Sequence, residues 1–189
     1  MKAKFCSQCG SGLTLAEVKG DHRPRLQCGS CGFVVYENPK ILVSCFATWE
    51  KKILWMRRGT APYMGAWAIP SGFLEEDESL QAGAARELYE ETRAQVDTDA
   101  MTLYTVGSLV RMNQIYMVFR APLLTPHFET TDEASEIKLF NQQEFPWQDF
   151  AFPEVDINVR QFYDELEQGK FGVYLGQLEN GENIISQVQ

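Results

Sequence analysis

The sequence predicts an α/β layered domain preceded by a small zinc module. Three observations point there. Two Cys-x-x-Cys pairs fall within the first stretch of the chain, Cys6 to Cys31. Beyond them, short runs rich in β-branched and aromatic residues are mixed with two helix-length amphipathic stretches, as in a sheet with helices laid on it. A length of 189 residues suits one catalytic domain and one small accessory module.

The cysteines come first. Cys6-x-x-Cys9 is followed by Cys28-x-x-Cys31, and two such pairs read as a four-thiolate zinc (Zn2+) site. Gly10 and Gly32 stand just after the pairs, where a tight turn must wrap sulfur around a metal. Two disulfides or a redox pair would use the same residues. The chain shows no signal peptide, which favours a reducing compartment, and a thioredoxin-like motif needs one pair rather than two. Four thiolates complete a tetrahedron, so His22, in the turn at 21–24, is expected to be exposed and idle. Cys45 lies in an apolar strand-like run and is expected to pack in the core. This ribbon occupies residues 1–37, with a linker at 37–39.

Next come the strands and helices. Residues 41–49 and 53–57 read as two strands joined by a charged turn at 50–52. Residues 61–64 read as loop, and 67–70 lead into a glycine loop. Residues 79–92 form a helix with Ala85, Leu88 and Tyr89 facing the core. Strands follow at 103–110, 114–120 and 137–140, with a polar loop at 122–134. A second helix spans 156–167, with Ile157, Phe162 and Leu166 expected to be buried. The catalytic domain is thus placed at 38–168, and 169–189 is left as a C-terminal tail.

The formal net charge of -9 opposes attraction to nucleic acid or anionic lipid. It leaves room for a polyanionic substrate, because bound metal can reverse the local sign. No apolar run is long enough to span a membrane. A complete cytoplasmic chain is expected.

The chemistry concentrates between Gly72 and Glu91. Glu87 and Glu91 lie at i and i+4 on the first helix, and Glu90 flanks them. Like charges at that spacing weaken a bare helix, and Gly83 on the same stripe costs about 1 kcal/mol against alanine. A divalent cation that neutralises the acids, and a ligand that needs the space at Gly83, would account for both. A solvated acidic face is the alternative.

The longer pattern decides between them. Gly72, five residues, Glu78, seven residues, Arg86-Glu87-Leu88, one residue, then Glu90-Glu91 resembles the Nudix box of nucleoside-diphosphate hydrolases. The family continues with a glycine that helps end the helix, and here that position is Arg93, which can oppose the helix dipole instead. The resemblance implies the Nudix α/β/α sandwich with a mixed sheet. It also implies magnesium or manganese (Mg2+ or Mn2+) held by Glu87 and Glu91, with Glu90 and the carbonyl of Ser71 as additional ligands. Arg86 and Glu78 would form an ion pair fixing the loop on the helix. A further glutamate would come from a later loop, either Glu133 or, second, Glu136; an idle exposed loop acid is the competing reading for Glu133.

A ribbon ahead of a Nudix domain resembles two groups. NADH pyrophosphatases carry a Ser-Gln-Pro-Trp-Pro-Phe-Pro run after the box, which is absent between Ala94 and Pro126. Plant-type FAD pyrophosphatases are similar over most of residues 5–167. The matching stretches are Phe5-Cys-x-x-Cys-Gly10, Tyr36-x-Asn-Pro-Lys40, Gly65-x-Trp67-x-x-Pro70, Gln114-x-Tyr116-x-Val-Phe119, Glu133-x-x-Glu136-x-x-Leu-Phe140 and Phe152. The resemblance implies a small-molecule dinucleotide or nucleoside-diphosphate substrate, either FAD or ADP-ribose, and leaves a homodimer open. NADH hydrolysis, removal of nucleotide caps from RNA, and a non-catalytic ADP-ribose or dinucleotide sensor are the alternatives. Lys2, Lys4, Lys19, Arg23 and Arg25 would serve RNA, but the overall acidity opposes it.

Overall fold

The computed structural model describes residues 3–179 and 182–188. Lys2 and part of the tail therefore lie outside the described residues. The chain divides into two compact units, with the boundary between Asn38 and Pro39.

In the first unit, β1 (Leu13–Ala16), β2 (Arg25–Cys28) and β3 (Val34–Val35) form an antiparallel sheet. The two cysteine pairs sit on matching turns. The Gly10 amide donates to the Cys6 carbonyl (2.9 Å), and the Gly32 amide to the Cys28 carbonyl (3.0 Å). Both glycines are left-handed, with φ of 74° and 75°, a conformation that costs other residues more. The turns bring all four sulfur atoms within 4.8 Å of one another, and Cys6–Cys31 and Cys9–Cys28 lie 3.6 and 3.5 Å apart. Disulfide sulfurs would be about 2 Å apart. Zinc–sulfur bonds of about 2.3 Å place the corners of a tetrahedron about 3.8 Å apart, so the donor set fits zinc with no open position. His22 is exposed, and Asp21 beside it is held by Arg25 through two hydrogen bonds.

The second unit is built on a nine-stranded mixed sheet. Its strands are β4 (Lys40–Trp49), β5 (Lys52–Arg58), β6 (Trp67–Ala68), β7 (Ser71–Phe73), β8 (Thr102–Leu109), β9 (Gln114–Pro122), β10 (Ala134–Phe140), β11 (Tyr174–Glu179) and β12 (Glu182–Gln187). The main order is β10-β5-β4-β9-β8-β11-β12, with β6 on β5 and β7 on β4. Two pairings are parallel, β4 with β9 and β8 with β11.

Alternation along the central strands makes two cores. Val43, Cys45, Ala47, Leu54 and Met56 point to one face, where Ala84 and Leu88 of helix α1 (Leu80–Thr92) cover them. Phe46, Ile53 and Trp55 point to the other, with Val159, Phe162 and Tyr163 of helix α2 (Asp156–Gln168). This is the α/β/α sandwich. Among the described residues, no helix is long and apolar enough to cross a membrane.

Several expectations are corrected. Tyr89 and Ile157 are exposed, each 44%. Ala84 buries in place of Tyr89, whose ring instead lies beneath the Arg93 guanidinium. Tyr174–Glu179 and Glu182–Gln187 of the supposed tail are strands of the sheet. Tyr174 is drawn in because its hydroxyl meets the buried Glu165 carboxylate of α2, which also accepts from the Gly172 amide (3.2 Å).

The sulfur geometry generates a prediction. Elemental analysis of the purified protein should find about one zinc per chain. Cys28→Ser should lose that zinc and unfold at a lower temperature. A Cys28→Ser protein with full zinc and an unchanged melting curve would count against the site.

Candidate active site

Helix α1 begins where Ser79 caps it, its hydroxyl accepting from the Ala82 amide (3.1 Å). After thirteen helical residues the chain turns out through Arg93, left-handed at φ 61°, whose amide donates to the Tyr89 carbonyl (2.7 Å). Arg93 thus adopts the conformation usual for a capping glycine, rather than only opposing the dipole.

Strand β7 runs alongside this helix and carries the glycine loop. An added Cβ on Gly72 would lie 2.1 Å from the Glu87 carboxylate, so only glycine admits Glu87 against the strand. Next to it the Ser71 amide donates to Oε2 of Glu91 (2.8 Å). Gly83 serves a different end from the one expected. An added Cβ there would meet Glu78 Oε1 at 2.7 Å and Leu74 Cδ1 at 2.8 Å. The missing side chain makes room for the loop, not for a ligand.

Arg86 organises the acids. Its Nε and Nη2 donate to both oxygens of Glu78 (3.0 and 2.8 Å), and Nη2 also reaches the Phe73 carbonyl (3.1 Å). Its Nη1 donates to Glu87 (2.8 Å) and Glu90 (3.0 Å). The forked bond holds the Glu78 carboxyl down at about 2. Glu90 is the most open of these acids.

Among the described residues, no basic side chain forms an ion pair with Glu91. The residue is 5% exposed, and burial first, then repulsion from Glu87 and Glu133, push its pKa up to about 8 despite the Ser71 amide and the positive charge of Arg58. Burial also raises Glu87, with Glu90 and Glu133 adding to it against Arg86. Glu133 therefore lies within electrostatic reach of both Glu87 and Glu91. It sits in a tight turn where the Thr131 hydroxyl accepts from the Glu133 amide (3.3 Å), and that hydroxyl donates to the Glu91 carbonyl (2.8 Å). Thr131 thereby clips the loop to the end of α1, a link with no signature in the sequence. Glu136 is held elsewhere, by Lys138 and Arg57.

Among the described residues, no three carboxylates converge as tightly as the four sulfurs do. Glu87 and Glu90 are drawn to Arg86, and Glu91 to strand β7. The arrangement is a row of acids along one helix edge, faced by Glu133. Such a row suits a hard, oxygen-seeking cation bound to an anionic substrate.

Comparison with known proteins identifies the family. The profile described as Nudix N-terminal matches residues 4–37, and the NUDIX domain profile matches residues 39–166. The chain belongs to the Nudix family. It is a Nudix pyrophosphatase, a hydrolase of phosphoanhydrides, with a family-type zinc ribbon in front of its catalytic domain. A solved NUDIX hydrolase from Nitrosomonas europaea is 42% identical with a TM-score of 0.87, over 93% of this chain and 99% of that one. The ADP-ribose pyrophosphatase of Methanocaldococcus jannaschii is 28% identical over 116 residues, 59% of this chain and 68% of that protein. The NUDIX domain of Shewanella oneidensis NrtR, solved with ADP ribose, agrees in fold alone. It is 20% identical with a TM-score of 0.52, over 67% of this chain and 90% of that one.

Two predictions follow from the geometry. Gly72→Ala must displace Glu87, and turnover should fall by about a hundredfold while the circular dichroism spectrum stays native; unchanged turnover would deny Glu87 its place. The second concerns pH. Folded Glu91 keeps its proton up to about pH 8, whereas the unfolded carboxyl releases it near 4.5. The folded state holds the extra proton across that window, so stability falls as pH rises through it. With magnesium and manganese omitted, Glu91→Gln should melt above the wild type at about pH 8, and the gap should close towards about pH 5. An equal gap at both ends would refute the assignment.

Proposed function

We propose that the protein cleaves the pyrophosphate bond of a nucleoside diphosphate linked to another group. FAD, giving FMN and AMP, and ADP-ribose, giving AMP and ribose 5-phosphate, are the leading substrates. The observation that carries this reading is the pair of half-buried Glu87 and buried Glu91, set against strand β7 at Gly72 and Ser71, with Glu133 within electrostatic reach of both. Two acids whose burial and mutual repulsion oppose ionisation are poor for stability and suited to a divalent cation. The relative named ADP-ribose pyrophosphatase supports the substrate class.

The donors are all hard oxygens, which fit magnesium or manganese. Glu87, Glu91, Glu90 and the carbonyl of Ser71 would hold the metal. When bound, it neutralises phosphate charge and lowers the pKa of a coordinated water. The chain's own residues supply the rest. Gly72 and the Ser71 amide set Glu87 and Glu91 in place. Arg86 and Glu78 lock the glycine loop to α1, a supporting role. Glu133, carried by its own loop, orients the attacking water and accepts its proton; Glu136, paired with Lys138 and Arg57, does not.

The test is a substrate panel of FAD, ADP-ribose, NADH, NAD and capped RNA, with and without magnesium or manganese, with products identified. AMP should appear from FAD or ADP-ribose only when metal is added. No AMP from any substrate at high enzyme concentration would sink the reading. Glu91→Gln should lower kcat by about a hundredfold or more. Glu76→Gln, an acid of the same loop outside the motif, should change little. Wild-type turnover by Glu91→Gln would defeat the assignment.

A further inference from the structure

We propose that Tyr63 is the platform on which an aromatic ring of the substrate stacks; this rests on the pyrophosphatase reading above. Tyr63 lies in the loop of residues 59–66 between β5 and β6, and that loop is fastened to the site. The Gly59 amide donates to the carbonyl of Glu133 (2.8 Å), and an added Cβ on Gly59 would meet the Asp132 carbonyl at 2.5 Å. The loop therefore lies directly on the turn that carries Glu133. Arg58, the last residue of β5, donates Nε to the Pro62 carbonyl (2.7 Å). Its positive charge also reaches Glu91. Tyr63 follows Pro62, one residue beyond that bond.

The ring itself is displayed in an unusual way. Tyr63 is 54% exposed, and Met64 beside it is 68% exposed. Its backbone is left-handed, with φ of 62°, which is rare for a bulky residue and persists only where the surroundings impose it. The Ala66 amide closes the turn on the Tyr63 carbonyl (3.1 Å), and the Gly65 amide closes the loop on Arg58 (2.8 Å). The ring packs edge to face with Phe152, at 5.3 Å and 77°. Phe152 rests on Phe150 (6.3 Å), which packs on the buried Trp55 (5.3 Å). A row of aromatic rings thus runs from the core out to Tyr63 and stops in solvent.

Folding gains nothing from that ending, because a large apolar ring is more stable buried. Binding does gain. A rigid aromatic face on a loop fastened to Arg58 and to the Glu133 turn suits a ligand with a flat ring at one end and a pyrophosphate at the other. Stacking on one aromatic side chain changes affinity by about 5- to 150-fold and tolerates different bases. Adenine, present in both leading substrates, is such a ring, and so is the flavin of FAD.

Steady-state kinetics with saturating magnesium test the assignment. ADP-ribose and FAD are compared for wild type, Tyr63→Phe, Tyr63→Leu and Tyr63→Ala. Loss of the ring in the Leu and Ala variants should raise KM about 5- to 150-fold with little change in kcat, and Tyr63→Phe should behave as wild type. A rise with both substrates identifies adenine as the stacked ring; a rise with FAD alone identifies the flavin. Tyr63→Leu keeps apolar bulk against Phe152, so it decides the matter if Tyr63→Ala fails to fold. An unchanged KM on both substrates in Tyr63→Leu, or a fall in kcat alone, overturns the proposal and makes Tyr63 a structural brace. If the wild type cleaves neither substrate, the pyrophosphatase reading fails by itself. Calorimetric titration of AMP and FMN then decides for Tyr63: weaker binding of either to Tyr63→Leu supports the platform, and equal binding of both overturns it.

Discussion

Arg86 ties the glycine loop to the first helix, and the acidic edge depends on that tie. Three glutamates on or beside one helix would repel one another and loosen its packing. A single guanidinium reaches Glu78, Glu87 and Glu90 and also the Phe73 carbonyl. Its planar fork lets it do so with fixed geometry, which a lysine could not reproduce. Gly72 and Gly83 then complete the fit by omission. One lets the Glu87 carboxylate touch strand β7, and the other lets Glu78 and Leu74 fold back over the helix. The remaining acid, Glu91, is buried and accepts from the Ser71 amide instead of from Arg86.

The two proposed metal sites show how donor chemistry divides the work. Four sulfurs on two turns close around one position and leave no room for a substrate. The carboxylates lie in an open row, and their oxygens suit a harder ion that shares its coordination with phosphate. The first arrangement stabilises a small module with little core of its own; the second serves a reaction.

Much of this was legible in the sequence because spacing encodes it. The cysteine pairs, the interval from Gly72 to Glu91 and the two apolar runs joined by the charged turn at 50–52 each map directly onto geometry. What was missed depends on contacts between distant segments. The sequence offers Gly83 to a ligand because the return of Leu74 and Glu78 over the helix has no periodic signal. Helical position points Tyr89 to the core, but Ala84 and Leu88 already fill that face, and Tyr89 packs under Arg93. Arg93 adopts a left-handed turn that propensity assigns to glycine. The strands after α2 carry little local signal because they are held partly by Tyr174 on Glu165 and by parallel pairing with β8, both set by tertiary contact. Thr131, which clips the Glu133 loop to the helix, looks like any loop threonine.

The sheet separates two cores, and that separation has a bearing on how such an enzyme can diverge. The acids rest on the α1 face, while Phe152 and the rings behind Tyr63 rest on the α2 face. Substitutions that reshape the buried rings of the aromatic side reach the carboxylates through the strands between them and through the short fastening of Gly59 to the Glu133 turn. A lineage could therefore drift in what it recognises while its hydrolytic apparatus stays under separate constraint, each half repacking without waiting for the other.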